Sequence, residues 1–451
     1  MSRIAALTFA VLAACSPVSQ PQQVAATRAA PIASVLPPIK TFAAVPVRTP
    51  SRSNTEISQD FLDLSFRMES GRLIPFMTRF EGPINVRVQG EVSQSLLTDL
   101  DQLLSRLRRE ANINIDMSEA AQPQIIIQAI PRRTLNAAVP RAACFVVPRI
   151  SSWDEFLKTR QTQTVDWTTL TRRDRAIMFV PSDVAPQEIR DCLHEELAQA
   201  LGPLNDLYRL PDSVFNDDNI HNVLTSFDML VLKAYYSPEL SNGMTRGQVA
   251  AKLPALLGRL NPSGNHANRF PENDTNRDWI DSVQTALSGA ATPSRRRAAA
   301  QRAIQLGEAF GWGGTREAFA HYAHGRLQVG NNSELALASF NTADQIYRAN
   351  PSTQIHAAHI AVQRAAFALR AGDAEAVLAL TNNGIPLARE HQNAALLSTL
   401  MMFKAEALRL QGNTVEADAV LMDSLGWARY GFGQDVFVQA RLNEIRALRP
   451  F

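Results

Sequence analysis

The chain has 451 residues, of which 45% are hydrophobic and 20% are charged, and this composition is typical of globular domains with packed cores. A formal net charge of +2 is too small to indicate a nucleic acid or an acidic substrate, so no nucleic-acid partner is expected. At about 150 residues per domain, this length predicts two or three domains.

The N-terminus has the features of a secretion signal. Arg3 gives it an early positive charge, and the apolar run at residues 4–14 is too short to span a membrane as a helix. The run ends in Leu-Ala-Ala before Cys15, and this sequence resembles the lipobox of bacterial lipoproteins. The resemblance implies removal of a signal peptide, residues 1–14, and lipidation of Cys15. We therefore expect a lipid anchor on the periplasmic side of the cell envelope, with Ser16 favouring the outer membrane by analogy. An ordinary signal peptide with a chance cysteine is the alternative.

Residues 15–55 form a predicted tether that is rich in Pro, Ala, Gln and Ser. Such a composition cannot bury a core, so we expect an extended or disordered chain. A flexible segment of this length has an end-to-end distance on the order of 35 Å. The tether is therefore expected to hold the folded part away from the membrane.

The pattern of residues 56–260 mixes strands and helices and predicts an α+β domain. Periodic leucines predict a helix at 95–110. A second helix is expected to be capped by Ser182 or Asp183 and to end at Gly202. Four strands are predicted at 83–88, 124–130, 143–147 and 176–180. The β-branched run 124–130 is expected to be a central strand.

Two cysteines remain in this domain, Cys144 and Cys192. In an oxidising compartment such a pair predicts a disulfide, which would stabilise the fold by about 4 kcal/mol on the chain-entropy argument. Two separate buried thiols are the alternative.

The C-terminal part is predicted to be helical. Residues 261–293 are rich in Pro, Gly, Ser and Asn and are interpreted as a linker with one short helix near Trp279. Within residues 294–451, turns recur at Gly330, Gly372 and Gly412, each between amphipathic helices. This pattern resembles tetratricopeptide-type helical hairpins, and such repeats offer a concave surface to a protein or peptide partner.

The segment around His194 carries the pattern that most suggests chemistry. His194-Glu195 begins like an HExxH zinc motif, but Ala198 stands where the second histidine is needed. In a register shifted by one residue, the sequence resembles the metzincin signature HExxHxxGxxH. In this register Glu196 stands at the position of the general base and Gly202 at that of the turn glycine.

The same resemblance places Glu195, Gln199 and Asn205 at the three ligand positions, with Asp206 beside the last. Amides are weak zinc ligands, so we expect a zincin scaffold without a metal or other cofactor, a pseudo-peptidase. A harder divalent ion held by the oxygens of Glu195 and Asp206 is one alternative. The other is an active peptidase or amidase in which Glu196 is the general base.

Neighbouring sequence extends the resemblance over residues 79–244. Phe215 stands where metzincins carry the methionine of the Met-turn, and residues 224–236 resemble the helix that follows in the serralysin-like branch. The whole chain is also similar to an uncharacterised family of bacterial lipoproteins, known only as a domain of unknown function.

The histidines are expected to have ordinary roles. His221 and His266 are predicted to lie on the surface. The pairs His321/His324 and His356/His359, spaced i and i+3 on predicted helices, can hold a metal but are more commonly polar residues of a helix face.

These features together predict a membrane-tethered binding or assembly factor of the cell envelope that engages a protein partner through its helical repeats. The first rival is the active hydrolase. The second is a scaffold in which only the repeats matter.

Overall fold

The structure is a computed structural model, and it describes residues 36–43, 48–140, 142–266 and 274–450. Cys15 lies outside these residues. The first helix, α1 (Asn54–Ser65), follows Ser53, whose hydroxyl accepts the backbone N–H of Glu56 while the Glu56 carboxylate accepts that of Ser53. This capping box defines where the helix begins.

Five strands form one sheet: β1 (Ile84–Gly90), β2 (Ile115–Met117), β3 (Ile125–Ile130), β4 (Phe145–Pro148) and β5 (Ala176–Pro181). Their spatial order is β2-β1-β3-β5-β4, and all neighbours are parallel except β4 and β5. The strand β3 is central, as its apolar run predicts, because a strand covered on both faces has no polar side. The antiparallel strand β4 forms one edge.

Helices cover both faces of this sheet: α2 (Gln94–Ala111), α3 (Arg132–Ala138), α4 (Trp153–Thr159) and α5 (Pro186–Leu201). Two more helices, α6 (Ser226–Tyr235) and α7 (Arg246–Leu260), pack on α2 and α1. On one face the leucines of α2 and α5 pack in the core with β1, β3 and β5. On the other face, the aromatic residues Phe145, Trp153, Phe156 and Phe179 pack together.

The start of α5 differs from the prediction. Ala185 occupies the N-cap, and Pro186 is the first residue of the helix. The two predicted caps have other partners, since the Ser182 hydroxyl bonds to Glu91 and the Asp183 carboxylate accepts the backbone N–H of Arg132. A proline at the first helical position needs no N–H acceptor, so the helix begins without a side-chain cap.

The C-terminal part is all-helical, as predicted: α8 (Arg277–Leu287), α9 (Pro293–Phe310), α10 (Thr315–Gln328), α11 (Ser333–Ala349), α12 (Gln354–Arg370), α13 (Ala374–Glu390), α14 (Ala394–Leu410), α15 (Thr414–Phe432) and α16 (Asp435–Arg446). The pairs α12–α13 and α14–α15 begin 40 residues apart, at Gln354 and Ala394. Gly372 and Gly412 make the turns within these pairs in the left-handed region, with φ of +74° and +81°.

The helical array packs against the sheet domain along α5. The Gln187 amide donates to the Asn393 side chain at 3.1 Å, and Arg190 bonds to Gln392. Elsewhere the buried Tyr430 hydroxyl donates to Asp99 of α2 at 2.6 Å. In the part of the chain that the structure describes, no helix has the length and apolarity needed to cross a membrane.

Candidate functional site

The zincin-like motif lies on the C-terminal half of α5, next to the edge strand β4. Glu196 is 5% exposed and faces β4, while Glu195 and Gln199 are half-buried. The chain returns after Gly202 and brings Asp206 and Asp217 back to the helix. We call Glu69, Glu195, Glu196, Asp206 and Asp217 the acidic cluster.

The carboxyl groups of the acidic cluster lie close to one another. Their mutual repulsion and their burial raise the pKa values of Glu195, Glu196, Asp206 and Asp217. Burial, with the charges of Asp217 and Glu69, raises the pKa of Glu195 to about 7. Burial and Glu69 raise the pKa of Asp217 to about 6. Burial and a hydrogen bond to Glu69 raise the pKa of Asp206 well above its usual value. Neighbouring carboxylates without a cation favour their neutral forms, because burial and repulsion both penalise charge.

Glu196, the candidate general base, is the most enclosed member of the cluster. Burial, reinforced by Glu195 and Glu69, raises its pKa well above the usual value, although the backbone N–H of Val146 donates to it. Its Oε2 atom is buried without a hydrogen-bond partner. A general base has to be within reach of a water or substrate, whereas Glu196 is enclosed against β4, where burial raises its pKa.

The other motif positions are unsuited to zinc. The Asn205 amide donates to the Asp63 carbonyl at 3.0 Å, and Gln199 points its amide nitrogen at Asp206, 3.5 Å away. Each of these hydrogen bonds engages the amide nitrogen, so the ligand atom that remains is an uncharged amide oxygen, which is a weak ligand for zinc. Among the described residues, no group of three or more His, Cys, Asp or Glu side chains could hold a metal ion. The donor set of this motif does not fit the zinc that the resemblance implies.

Flanking residues of the motif are structural. His194 is buried and accepts the backbone N–H of Leu224 at 3.0 Å, so it takes no part in the acidic cluster. Phe215, at the Met-turn position, is fully buried. The loop that carries it is fastened by Asp228, which accepts the Ser213 hydroxyl and the Val214 backbone N–H.

Cys144 and Cys192 are joined by a disulfide with a Cα–Cα distance of 5.9 Å. Cys144 directly precedes β4, and Cys192 lies on α5 one turn before Glu196. The bond therefore ties the edge strand to the helix that carries the motif.

A second group of polar residues lies where the sheet domain meets the helical array. His221 is half-buried, and the prediction of a surface residue is wrong: its ring centre lies 5.8 Å from that of His356 and 5.3 Å from that of His391. The local sequence does not reveal the contacts of His221 with His356 and His391, because the three residues come from separate elements. His266, by contrast, is exposed as predicted.

Part of the predicted tether is packed on the C-terminal helices. Residues 36–43 run in extended form along α15, where the Lys40 backbone N–H donates to the Gly426 carbonyl at 3.0 Å. The Phe42 ring stacks on Trp427, with 4.6 Å between ring centres, and meets Tyr430 edge-on. This part is therefore docked, although its composition predicts a solvated chain, because aromatic side chains of α15 supply the apolar surface that the segment lacks.

Comparison with known proteins adds one finding. Residues 54–255 match the family described as protein of unknown function (DUF2927), which confirms the predicted similarity to an uncharacterised family over these residues. No curated protein and no solved structure matches the chain. The match covers the sheet and the acidic cluster and assigns no activity to them.

Proposed function

We propose that this protein is a lipid-anchored factor of the cell envelope that binds a protein partner through its helical repeats and catalyses no reaction at its zincin-like motif. The observation that carries the proposal is the docked segment, residues 36–43, because it is an extended peptide held by a repeat helix. A surface that holds one extended segment has the chemistry to hold another.

The contacts of the docked segment are those of peptide recognition. Phe42 provides the aromatic anchor, the Lys40 backbone bonds to Gly426, and the Lys40 side chain pairs with Asp423. The Pro37 carbonyl accepts a hydrogen bond from Arg429 at 2.9 Å. Proline-rich segments bind aromatic-lined grooves in this way because little conformational entropy is lost on binding. A tetratricopeptide-like stack of helical hairpins offers such grooves along its length.

The sheet domain is proposed to be a degenerate zincin. Its strand order, with an antiparallel edge strand beside the helix that carries the motif, supports this scaffold. The enclosure of Glu196 and the uncharged amides of Gln199 and Asn205 at two ligand positions support a non-catalytic role. The alternative is a metzincin-like hydrolase with Glu196 as the general base, and the same strand order favours it. A cleavage assay distinguishes the hydrolase from the non-catalytic factor.

Anchoring through Cys15 remains part of the proposal and rests on the lipobox-like sequence alone. Twenty residues separate Cys15 from Leu36, the first residue of the docked segment. The Pro- and Ala-rich composition of these residues predicts a tether that holds the folded part away from the membrane.

Site-specific photo-crosslinking in intact cells tests the proposed binding surface. A photo-reactive residue is placed at Met422 of α15 or Val436 of α16, two exposed apolar positions of the array, and at Leu73 or Leu157, exposed apolar positions of the sheet domain, as matched controls. We expect a discrete crosslinked protein from the array positions and none from the controls. Equal crosslinking at all four positions, or adducts only from the controls, would contradict the proposal.

A further inference from the structure

One glycine of α15 makes room for the docked segment. Gly426 lies inside this helix, where glycine is a poorer helix former than alanine. A methyl group added at Gly426 would lie 3.0 Å from Lys40 Cγ and from the Pro38 carbonyl oxygen, and both atoms belong to the docked segment. Because Gly426 has no side chain, the backbone of an extended peptide can lie directly against the helix.

Two side chains from outside α15 complete the surface on which the segment lies. The Arg190 guanidinium of α5 stands over the Phe42 ring, 5.7 Å from its centre. The Gln392 amide, just after α13, donates to the Ala43 carbonyl at 2.6 Å. Arg190 and Gln392 are both buried and bonded to each other, which fixes their positions. We use the name peptide groove for the surface formed by Arg190, Gln392, Asp423, Gly426, Trp427 and Tyr430.

Two side chains of the docked segment make its main contacts with the groove. Phe42 alone is buried within residues 36–43, and its ring stacks on Trp427. Residues two apart in an extended chain point to the same side, and Lys40 accordingly pairs with Asp423, with its ammonium 5.7 Å from the Trp427 ring centre. Thr41, between them, is exposed. Since so few side chains hold the segment, another peptide with the same features can take its place.

These contacts define the class of peptide that the groove accepts. The Lys40 backbone N–H donates to the Gly426 carbonyl at 3.0 Å, which excludes proline at this position. Asp423 selects a basic side chain there, and the aromatic residue has to follow two positions later. Pro37 and Pro38 precede the basic residue, and prolines favour the extended backbone before binding.

We propose that the peptide groove binds an extended segment of a partner protein in which prolines precede a basic residue and an aromatic residue follows two positions later. The docked segment is then the internal competitor for the same site. This inference rests on the proposed function, because it assigns the protein partner to one groove and one class of peptide.

The competition is intramolecular. Residues 44–53 connect the docked segment to α1, and so short a connection gives an effective concentration on the order of millimolar. A partner peptide therefore binds only when its affinity and local concentration outweigh this competition. Its binding releases the docked segment from α15.

Binding of a synthetic peptide to the full-length protein tests the proposal. The probe is a fluorescently labelled peptide of residues 36–43, and its anisotropy is measured with the native protein and with Phe42→Ala, in which the internal competitor is weakened. We expect saturable binding of one peptide per chain to Phe42→Ala, and binding to the native protein that is weaker by about tenfold or more. The same peptide with alanine in place of its phenylalanine should not bind saturably.

A second variant tests the fit at the glycine. Gly426→Ala, added to Phe42→Ala, favours the helix but places a methyl group against the peptide backbone, so the affinity should fall by about tenfold or more. Gly247→Ala in α7 is the matched control, because a methyl group there meets no atom within 4 Å. It should bind the peptide as Phe42→Ala alone does. Circular dichroism of each variant checks that the helices are intact.

Four results would overturn the groove. These are no saturable binding to Phe42→Ala, equal affinities of this variant and the native protein, equal affinities of the two peptides, and equal effects of Gly426→Ala and Gly247→Ala. A native dimer that Phe42→Ala converts to a monomer would assign the groove to the segment of a second copy, and it would likewise overturn the proposal.

Photo-crosslinking from Met422 separates this inference from the proposed function. A crosslinked protein whose yield is unchanged by Gly426→Ala would overturn the groove and leave the proposed function standing. Saturable peptide binding together with no crosslinked protein in cells would support the groove and contradict the proposed function.

Discussion

Replacing Glu195 with glutamine removes one charge from the acidic cluster while keeping the size and shape of the side chain. The folded protein holds the Glu195 proton more tightly than the unfolded chain does, since its pKa is raised from 4.5 to about 7. The contribution of this group to stability is therefore fully present below pH 4.5 and is lost as the pH rises through 7. At pH 8.5 Glu195 is ionised in the folded protein, and its charge should lower the free energy of unfolding.

The size of the effect follows from the same pKa. A rise from 4.5 to about 7 corresponds to on the order of 3 kcal/mol, at roughly 1.4 kcal/mol for each pH unit. Glu195 is half-buried, and the neighbouring carboxyl groups titrate together with it, so the effect of Glu195 alone is smaller than this figure. We therefore expect Glu195→Gln to stabilise the protein by about 1–3 kcal/mol at pH 8.5. The gain should vanish near pH 4.5, where the native side chain is itself neutral.

Urea unfolding followed by circular dichroism at pH 8.5 and pH 4.5 measures this difference. Glu119→Gln, at an exposed position outside any helix, is the matched control and should change the midpoint little at either pH. If Glu195→Gln lowers stability at pH 8.5, the carboxylate is ionised and paired with a cation, and the reasoning about the cluster is refuted.

Three further outcomes are expected. Cys15→Ser should abolish acylation and release the protein from membrane fractions, as mass spectrometry and fractionation would show, and an acylated variant would exclude the lipobox. Cys192→Ser should leave Cys144 as a free thiol and destabilise the protein by about 4 kcal/mol, so an unchanged unfolding midpoint would show that the disulfide contributes nothing. Phe42→Ala should release the docked segment, speeding hydrogen exchange at residues 36–43 and shifting the emission of Trp427; unchanged exchange would show that the aromatic contact does not hold it.

The spacing of apolar residues predicts much of the fold, because these residues are the ones that become buried in helices and strands. The apolar runs of β3 and β5, the leucine stripe of α2 and the turn glycines Gly372 and Gly412 all mark elements that the structure contains. Short elements escape such reasoning. The strand β2 has three residues, too few for a period, and is held by its pairing with β1.

The site is less predictable, because contacts between distant segments decide it. The motif itself indicates Glu195, Glu196 and Asp206, but nothing local shows that Glu69 faces them. Burial likewise raises the pKa of Glu196, and burial is a property of the packed structure. For the same reason, the sequence does not reveal that His221 contacts His356 and His391, which lie more than 130 residues away in the chain.

The most direct test of the non-catalytic account is a cleavage assay with the purified full-length protein. A defined mixture of unstructured peptides is incubated with native protein and with Glu196→Gln, each with and without added Zn²⁺, and products are quantified by mass spectrometry. The account predicts the same background cleavage in all samples. Cleavage by the native protein that is lost in a correctly folded Glu196→Gln variant would contradict it and establish the hydrolase.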